Sequence, residues 1–469
     1  MKKSGVTYRI LCFVLCMILM LSVSVSASNL DEDLSVTQGC HSVDAQVPML
    51  GNEVMIENAV SVFLYDYAND VLLFTQNPDQ QFYPASLVKI MTCLLIAEKG
   101  NLEDQVVIRQ EVLDTVPEGS RSINLKAGEI LALGDLYYAI MVQSSNEAAA
   151  IAADYISGSQ EVFVNEMNSY AKTLGCTNTT FVNAHGLHHE SQLSTSRDLA
   201  KILSAATKNE IFMQAFSSVH YTIPETNLSK ERRLSSNNHL MNSDEMTVYL
   251  DSRVTGGRAG TMDSGERNLA VTAEYNDIHL ISIVAGSKST LSTSGRTTIF
   301  GSFKETTQLL DAGFKGYESV QLFYKDQILD QFEVVNGESK LSIGVKDSVS
   351  ALLPHGVNYD ALSYRYGDNV SVIRAPIKKD DIISTIQVWH GELCLAQANL
   401  YAMHDVNVRD IVATEEIENT PDGNSTSILV VVAIIVGLLV VLIIGRRLIT
   451  GLIRRQQIRR HRRNRRRSY

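Results

Sequence analysis

Pro84-Ala85-Ser86-Leu87-Val88-Lys89-Ile90-Met91-Thr92 decides how this chain is read. Proline is well tolerated in a first helical turn, so Pro84 opens a helix expected to reach about residue 99. Ser86 and Lys89 stand at i and i+3, one turn apart on one face. A serine hydroxyl is a weak nucleophile and needs a base beside it. A lysine amine can be that base only if burial or neighbouring donors lower its pKa. The pair alone is weak evidence, because both residue types are common.

Two further stretches strengthen it. Ser144-Ser145-Asn146 falls between an expected helix over 133–142 and a second, alanine-rich one starting near Asn146. Serine and asparagine both cap helices well, so capping is the plain reading. The functional reading gives Ser144 a proton-relay role and sets Asn146 to hold Lys89 and a substrate amide. Arg258-Ala259-Gly260 comes before an expected strand at 269–274. There a glycine lets a substrate backbone approach closely, and a cation meets a substrate carboxylate. The plain alternative is a turn built on Gly256-Gly257 with Arg258 in solvent.

Outward from these stretches, the 469 residues, 45% of them hydrophobic, are ample for two or three domains. Met1-Lys2-Lys3, an apolar run over 10–23 and Val25-Ser26-Ala27 read as a secretory signal ending at Ala27. Near the other end, residues 428–444 are apolar and uncharged, and an expected span over 428–447 is long enough to cross a bilayer core of about 30 Å. Eleven arginines between Arg446 and Arg467 follow it. Cationic flanks mark the cytoplasmic side, so the bulk of the chain is expected outside the membrane. The same position explains the arginines without nucleic acid. Removing their charge from the formal −11 leaves about −22 (−11 − 11), a poor polyanion binder. Cys40, Cys93, Cys176 and Cys394 are too scattered for a metal pattern. Cys93, on roughly the face of Ser86, reads as packing. His185, His188 and His189 lack acidic or cysteine ligands at matching spacing, which favours a structural role over metal.

Alternating apolar runs at 59–67 and 71–76 flank the turn Ala68-Asn69-Asp70 as a hairpin. Helices are expected at 160–174, 195–207 and 297–312, and strands at 247–250, 269–274 and 279–285. Helices set between early and late strands predict an α/β (α+β) domain with a mostly antiparallel sheet. After about residue 315, short alternating runs such as Val320-Gln321-Leu322-Phe323-Tyr324, punctuated by Asn336-Gly337, predict a small all-β domain.

Taken together, SxxK, SxN and a third motif normally reading Lys-Thr-Gly resemble the penicillin-recognising serine enzymes. Ser144-Ser145-Asn146-Glu147-Ala148-Ala149, Phe181-Val182-Asn183-Ala184-His185-Gly186-Leu187, Ser194-Thr195-Ser196-Arg197-Asp198-Leu199-Ala200 and Asp311-Ala312-Gly313-Phe314 resemble segments of the D-alanyl-D-alanine carboxypeptidases among the low-molecular-mass penicillin-binding proteins. The resemblance covers about residues 50–315, and more loosely the β domain and anchor. It implies a penicillin-binding/β-lactamase-like domain over 53–315 after a lead-in over 28–52. A β domain over 316–410, a linker over 411–427, the span over 428–447 and a cytoplasmic tail over 448–469 follow. It implies Ser86 as nucleophile, Lys89 as base, Ser144 as relay, and Asn146, Arg258, Gly260 and Thr261 on the substrate. The backbone N–H groups of Ser86 and Thr261 would form the oxyanion hole. The implied partners are a peptidoglycan stem peptide ending in D-Ala-D-Ala and β-lactams, with no cofactor or metal. The chain departs from the pattern where Arg258 and Ala259 replace lysine and threonine. That departure keeps open a weak or inactive binding protein as the alternative. A β-lactamase fits less well, for want of an ExxLN-type segment between the second and third motifs.

Overall fold

Alternation within single strands builds the central sheet. In Ser61–Asp66 (β1), Val62 and Leu64 enter one hydrophobic cluster while Phe63 and Tyr65 enter another. Successive side chains of a strand point to opposite faces, so β1 is covered on both. The same holds for Val71–Gln76 (β2), Arg267–Tyr275 (β4) and Ile278–Ser287 (β5), while Val254–Thr261 (β3) gives Val254 and Ala259 to a single cluster. The sheet order is β2-β1-β5-β4-β3, and every neighbouring pair is antiparallel. Strands from before and after the helical region therefore meet at β1 and β5, and β3 is left as an edge.

The computed structural model describes residues 54–409 apart from Glu245, 293–297, 368–371 and Glu392. The expected signal, lead-in, linker, apolar span and arginine tail lie outside the described residues. Among the described residues, no helix is long and apolar enough to cross a membrane.

One face of the sheet carries helices Val88–Lys99 (α1), Leu133–Tyr138 (α2), Asn146–Ser157 (α3), Gln160–Thr173 (α4), Ser196–Ala206 (α5) and Glu210–Phe216 (α6). α1 is buried from Val88 to Ala97. A helix apolar on every side belongs in a core, and truncating Leu94 or Leu95 there costs about 2–5 kcal/mol. Ala148, Ala149, Ala150, Ala152 and Ala153 let α3 pack closely inside the same cluster. The other face is covered by Gly301–Gly316 (α7), through Phe303, Leu309, Leu310 and Phe314.

Three sequence expectations need correction. Residues 247–250 form no strand; Thr247–Tyr249 is a 3-10 turn. Val248 is exposed, and Tyr249 is held by Phe303 and by its hydroxyl accepting from the Phe300 amide at 2.9 Å. β-branched residues met a site with no strand to pair with. The helix expected from 297 starts at Gly301, because Thr298–Phe300 pairs with Ser289–Leu291. Arg258 does precede the expected strand, now β4, but the alternative of a turn with Arg258 in solvent fails: Arg258 is buried inside β3.

After α7 the structure is almost wholly β. Tyr317–Phe323 pairs with Val349–Pro354. A five-stranded antiparallel sheet runs Ile328–Phe332, Leu341–Gly344, Leu393–Ala402, Ile382–His390, Leu362–Tyr366. Leu341, Ile343, Leu353, Val388 and Leu400 centre a separate core.

Candidate active site

Pro84 leads into a 3-10 turn, Ala85–Leu87, that becomes α1 and presents Ser86 at its start. Ala85 has φ 47°, a left-handed conformation that non-glycine residues avoid. Such strain costs about 1–3 kcal/mol and persists only where the surroundings enforce it. They do so here. A Cβ on Gly186 would lie 2.1 Å from the Ala85 carbonyl oxygen, and one on Gly260 would lie 3.0 Å from the Ser86 nitrogen. Both glycines exist to let backbone close on this turn. The buried Asn268 side chain donates to the Tyr83 carbonyl at 2.9 Å and accepts from the Gly286 amide at 2.8 Å. It ties the approach to Ser86 to the sheet.

The second stretch divides its labour residue by residue. α2 runs into a π-helical turn, Ala139–Gln143, and Ser144 then takes φ 64°. Ser145 is the cap of α3, its hydroxyl accepting from the Ala148 amide at 3.1 Å. Ser144 and Asn146 are thereby free for other partners. The Ser144 hydroxyl donates to Ser86 Oγ at 3.0 Å. Lys89 Nζ donates to Asn146 Oδ1 at 2.7 Å and to the His185 carbonyl. Lys89 has no exposed surface. Burial above all, then the charges of Arg258 and Arg121, hold it well below the usual lysine range. A Cys93 thiolate would oppose this, but burial pushes that thiol up, so it stays protonated at neutral pH. Burial likewise pushes the His185 ring down to about 3, leaving it neutral.

The third stretch forms the strand wall. β3 contacts the Ser86 turn along its open edge. The Met262 amide donates to the Glu266 carbonyl at 2.9 Å. Antiparallel ladders alternate, so the preceding Thr261 amide turns away from β4 toward that open edge. Arg258 points the other way. It is buried, donating to the Met141 carbonyl at the π turn and to Asn237 Oδ1 at 3.3 Å. Burial, with Arg121 next, pushes it down to about 9, still protonated at neutral pH.

Between the walls lies a cleft of about 380 Å3, whose lining includes Ser86, Ser144, Asn146, Ala259 and Thr261. Of the seven residues expected from sequence, Ser86 and Ser144 form one hydrogen-bonded pair and Lys89 and Asn146 a second. Gly260 and Thr261 border the Ser86 turn, and Arg258 sits beneath the cleft. Sequence reasoning missed the His185 carbonyl, Asn237, Gly186 and Arg121. A backbone acceptor leaves no trace in residue type; Gly186 had a trace in its place inside the quoted 181–187 segment.

The family model described as D-alanyl-D-alanine carboxypeptidase matches residues 51–289. The chain belongs to that family. A second model, the C-terminal domain of penicillin-binding protein 5, matches residues 317–408. Among relatives, D-alanyl-D-alanine carboxypeptidase DacC of Escherichia coli strain K12 is 31% identical over 353 residues, covering 73% of this chain and 83% of the relative. DacA of the same strain is 29% identical, covering 78% and 88%. The crystal structure of penicillin binding protein 5 from Haemophilus influenzae superposes with TM-score 0.62 at 25% identity, covering 77% of this chain and 99% of that one. The serine carboxypeptidase family and the two-part architecture of a penicillin-binding-like domain followed by a β domain are therefore established for this chain.

Proposed function

We propose that this chain removes the terminal D-alanine from peptidoglycan stem peptides through an acyl-enzyme on Ser86, and that penicillins acylate the same residue. One observation carries the reading: the Ser144 hydroxyl bonds Ser86 while Lys89, fully buried, is held by Asn146 and a backbone carbonyl. Ser86 Oγ attacks the carbonyl carbon between the two D-alanines and its proton passes to Lys89. The depressed pKa of Lys89 supplies the free amine at far lower pH than an ordinary lysine would. The amides of Ser86 and Thr261 hold the developing oxyanion, each donor worth about 2.7–4 kcal/mol in the transition state. Ser144 donates its proton to the departing D-alanine nitrogen as it receives the one held on Lys89, which returns the amine to its free form. Water then attacks the Ser86 ester and regenerates the hydroxyl. Asn146 bonds a substrate amide, Gly260 keeps β3 against the Ser86 turn, and Arg258 acts from beneath as a fixed positive charge.

The chain is further read as exported and held at the outer side of a bacterial membrane by residues 428–447. The apolar, uncharged sequence before an arginine-rich tail supports this. The peptidase domain over 53–315 and the β domain over 316–410 would then stand outside the cell.

The test is D-alanine release from a peptide ending in D-Ala-D-Ala, with Ser86→Ala as control. Release that disappears in the variant is expected. Folded protein that is acylated by penicillin yet frees no D-alanine would replace the enzyme with a binding protein.

A further inference from the structure

The strand wall brings no cationic side chain into the cleft. The Arg258 guanidinium is buried on Met141 and Asn237, and Ala259 brings no hydroxyl. Arg121 stands at the same cleft with its side chain exposed. Among the described lining residues it is the single arginine or lysine, and no described carboxylate or carbonyl bonds its guanidinium.

The backbone carrying Arg121 is fixed. Its carbonyl accepts from the Asn146 amide at 2.8 Å. Just beyond it, the Ser122 hydroxyl and the Ile123 and Leu125 amides converge on one oxygen of Glu147, at 2.7, 2.8 and 3.1 Å. Glu147 follows Asn146, so Arg121 is anchored to the same helix start that bonds Lys89. The charge of Arg121 acts on Arg258, Lys89 and Arg267. Arg258 lies in β3, and Arg267 faces Thr261 across the ladder. Arg121, Thr261 and Ser86 line the same cleft, so the arginine and the end of β3 border one space. Asp263 also lines the cleft, but its carboxylate cannot accept a substrate carboxylate; the exposed Arg121 guanidinium can, gripping it with two parallel bonds.

We propose that Arg121 is the specificity-determining residue of this cleft, binding the C-terminal carboxylate of the substrate in place of the hydroxyl that Ala259 lacks. The assignment rests on the carboxypeptidase reading of the same site. It makes the altered third motif a relocation of carboxylate recognition from the strand wall to the loop before α2.

The experiment compares the full chain with Arg121→Gln and Arg121→Lys. Each is acylated by benzylpenicillin and by its methyl ester, and each is given a D-Ala-D-Ala peptide and the same peptide with a C-terminal amide. The unsubstituted chain is expected to prefer the free carboxylate in both pairs. In Arg121→Gln the acid-to-ester and acid-to-amide preferences are expected to fall about 10- to 100-fold, the range for a lost bond to a charged group. Arg121→Lys should recover part of it. Preferences unchanged in Arg121→Gln, or an equal loss on charged and neutral partners, would overturn the proposal. The penicillin pair reads carboxylate binding even if no D-alanine is released, so this assignment and the carboxypeptidase reading can fail separately.

Discussion

The two walls of the cleft differ in what they contribute. On the helical wall the reacting groups are side chains held in place by bonds: Ser144 on Ser86, Lys89 on Asn146 and on the His185 carbonyl. On the strand wall the contribution is chiefly backbone and empty space, with the buried Arg258 charge behind it. Thr261 offers an amide, and Gly260 offers the absence of a Cβ that would sit 3.0 Å from the Ser86 nitrogen. The difference explains how this chain can carry Arg258 and Ala259 where its family pattern has lysine and threonine. A wall that works through register tolerates a change of side chain so long as its edge and its glycine stay. A wall that works through side-chain bonds does not.

The sharpest way to break this comparison is to remove the helical wall's nucleophile. Ser86→Ala should lower turnover by at least about 10³-fold, as loss of a covalent nucleophile does, and abolish the penicillin adduct seen by mass spectrometry. Retained acylation would move the chemistry elsewhere.

Lys89→Met is expected to cost about 10²–10⁴-fold, the range for a lost general base. The pH profile refines this. The reaction needs unprotonated Lys89, so kcat/KM rises with pH through the folded pKa of that lysine and levels above it. Burial and then Arg258 depress that pKa, so the rise should finish below the ordinary lysine value of about 10.4. Removing the Arg258 charge with Arg258→Gln favours the protonated amine, so the limb should move to higher pH. A limb that stays put would disconnect the buried cation from the base.

Gly186→Ala probes the packing behind the turn. Gly186 has φ 85°, and a Cβ there would meet the Ala85 carbonyl oxygen. A loss of about 1–3 kcal/mol in unfolding free energy is expected, together with slower acylation; chemical denaturation and penicillin kinetics read the two.

The smallest effect belongs to the strand wall's side chains. Ala259→Thr restores a hydroxyl beside Thr261 and should raise kcat/KM on D-Ala-D-Ala peptides by up to about 10-fold, since a bond to a charged group contributes about 1.5–3 kcal/mol and Arg121 already serves the carboxylate. A decrease would mean that strand side chains are as constrained as those of the helical wall.

Much of the helical wall was legible from residue spacing. Pro84 and the i and i+3 pair Ser86 and Lys89 act within one or two turns, where sequence neighbours are spatial neighbours. The strand wall was not legible. Gly256, Gly257, Arg258 and Gly260 lack strand propensity, and β3 exists because β4 pairs with it from Val254 to Thr261. Residues 247–250 failed in the opposite sense, strand-like in composition but without a partner strand.

By itself, then, the sequence determined the nucleophile helix, the antiparallel α/β plan, the β domain after it and the family, because each rests on local periodicity or on motifs read in order. Only the tertiary structure decided which of two adjacent serines caps and which reaches Ser86, where Arg258 turns, and what stands over the cleft. Those outcomes depend on contacts between segments far apart in the chain, such as the His185 carbonyl on Lys89 across 96 residues, and no spacing rule reaches that far.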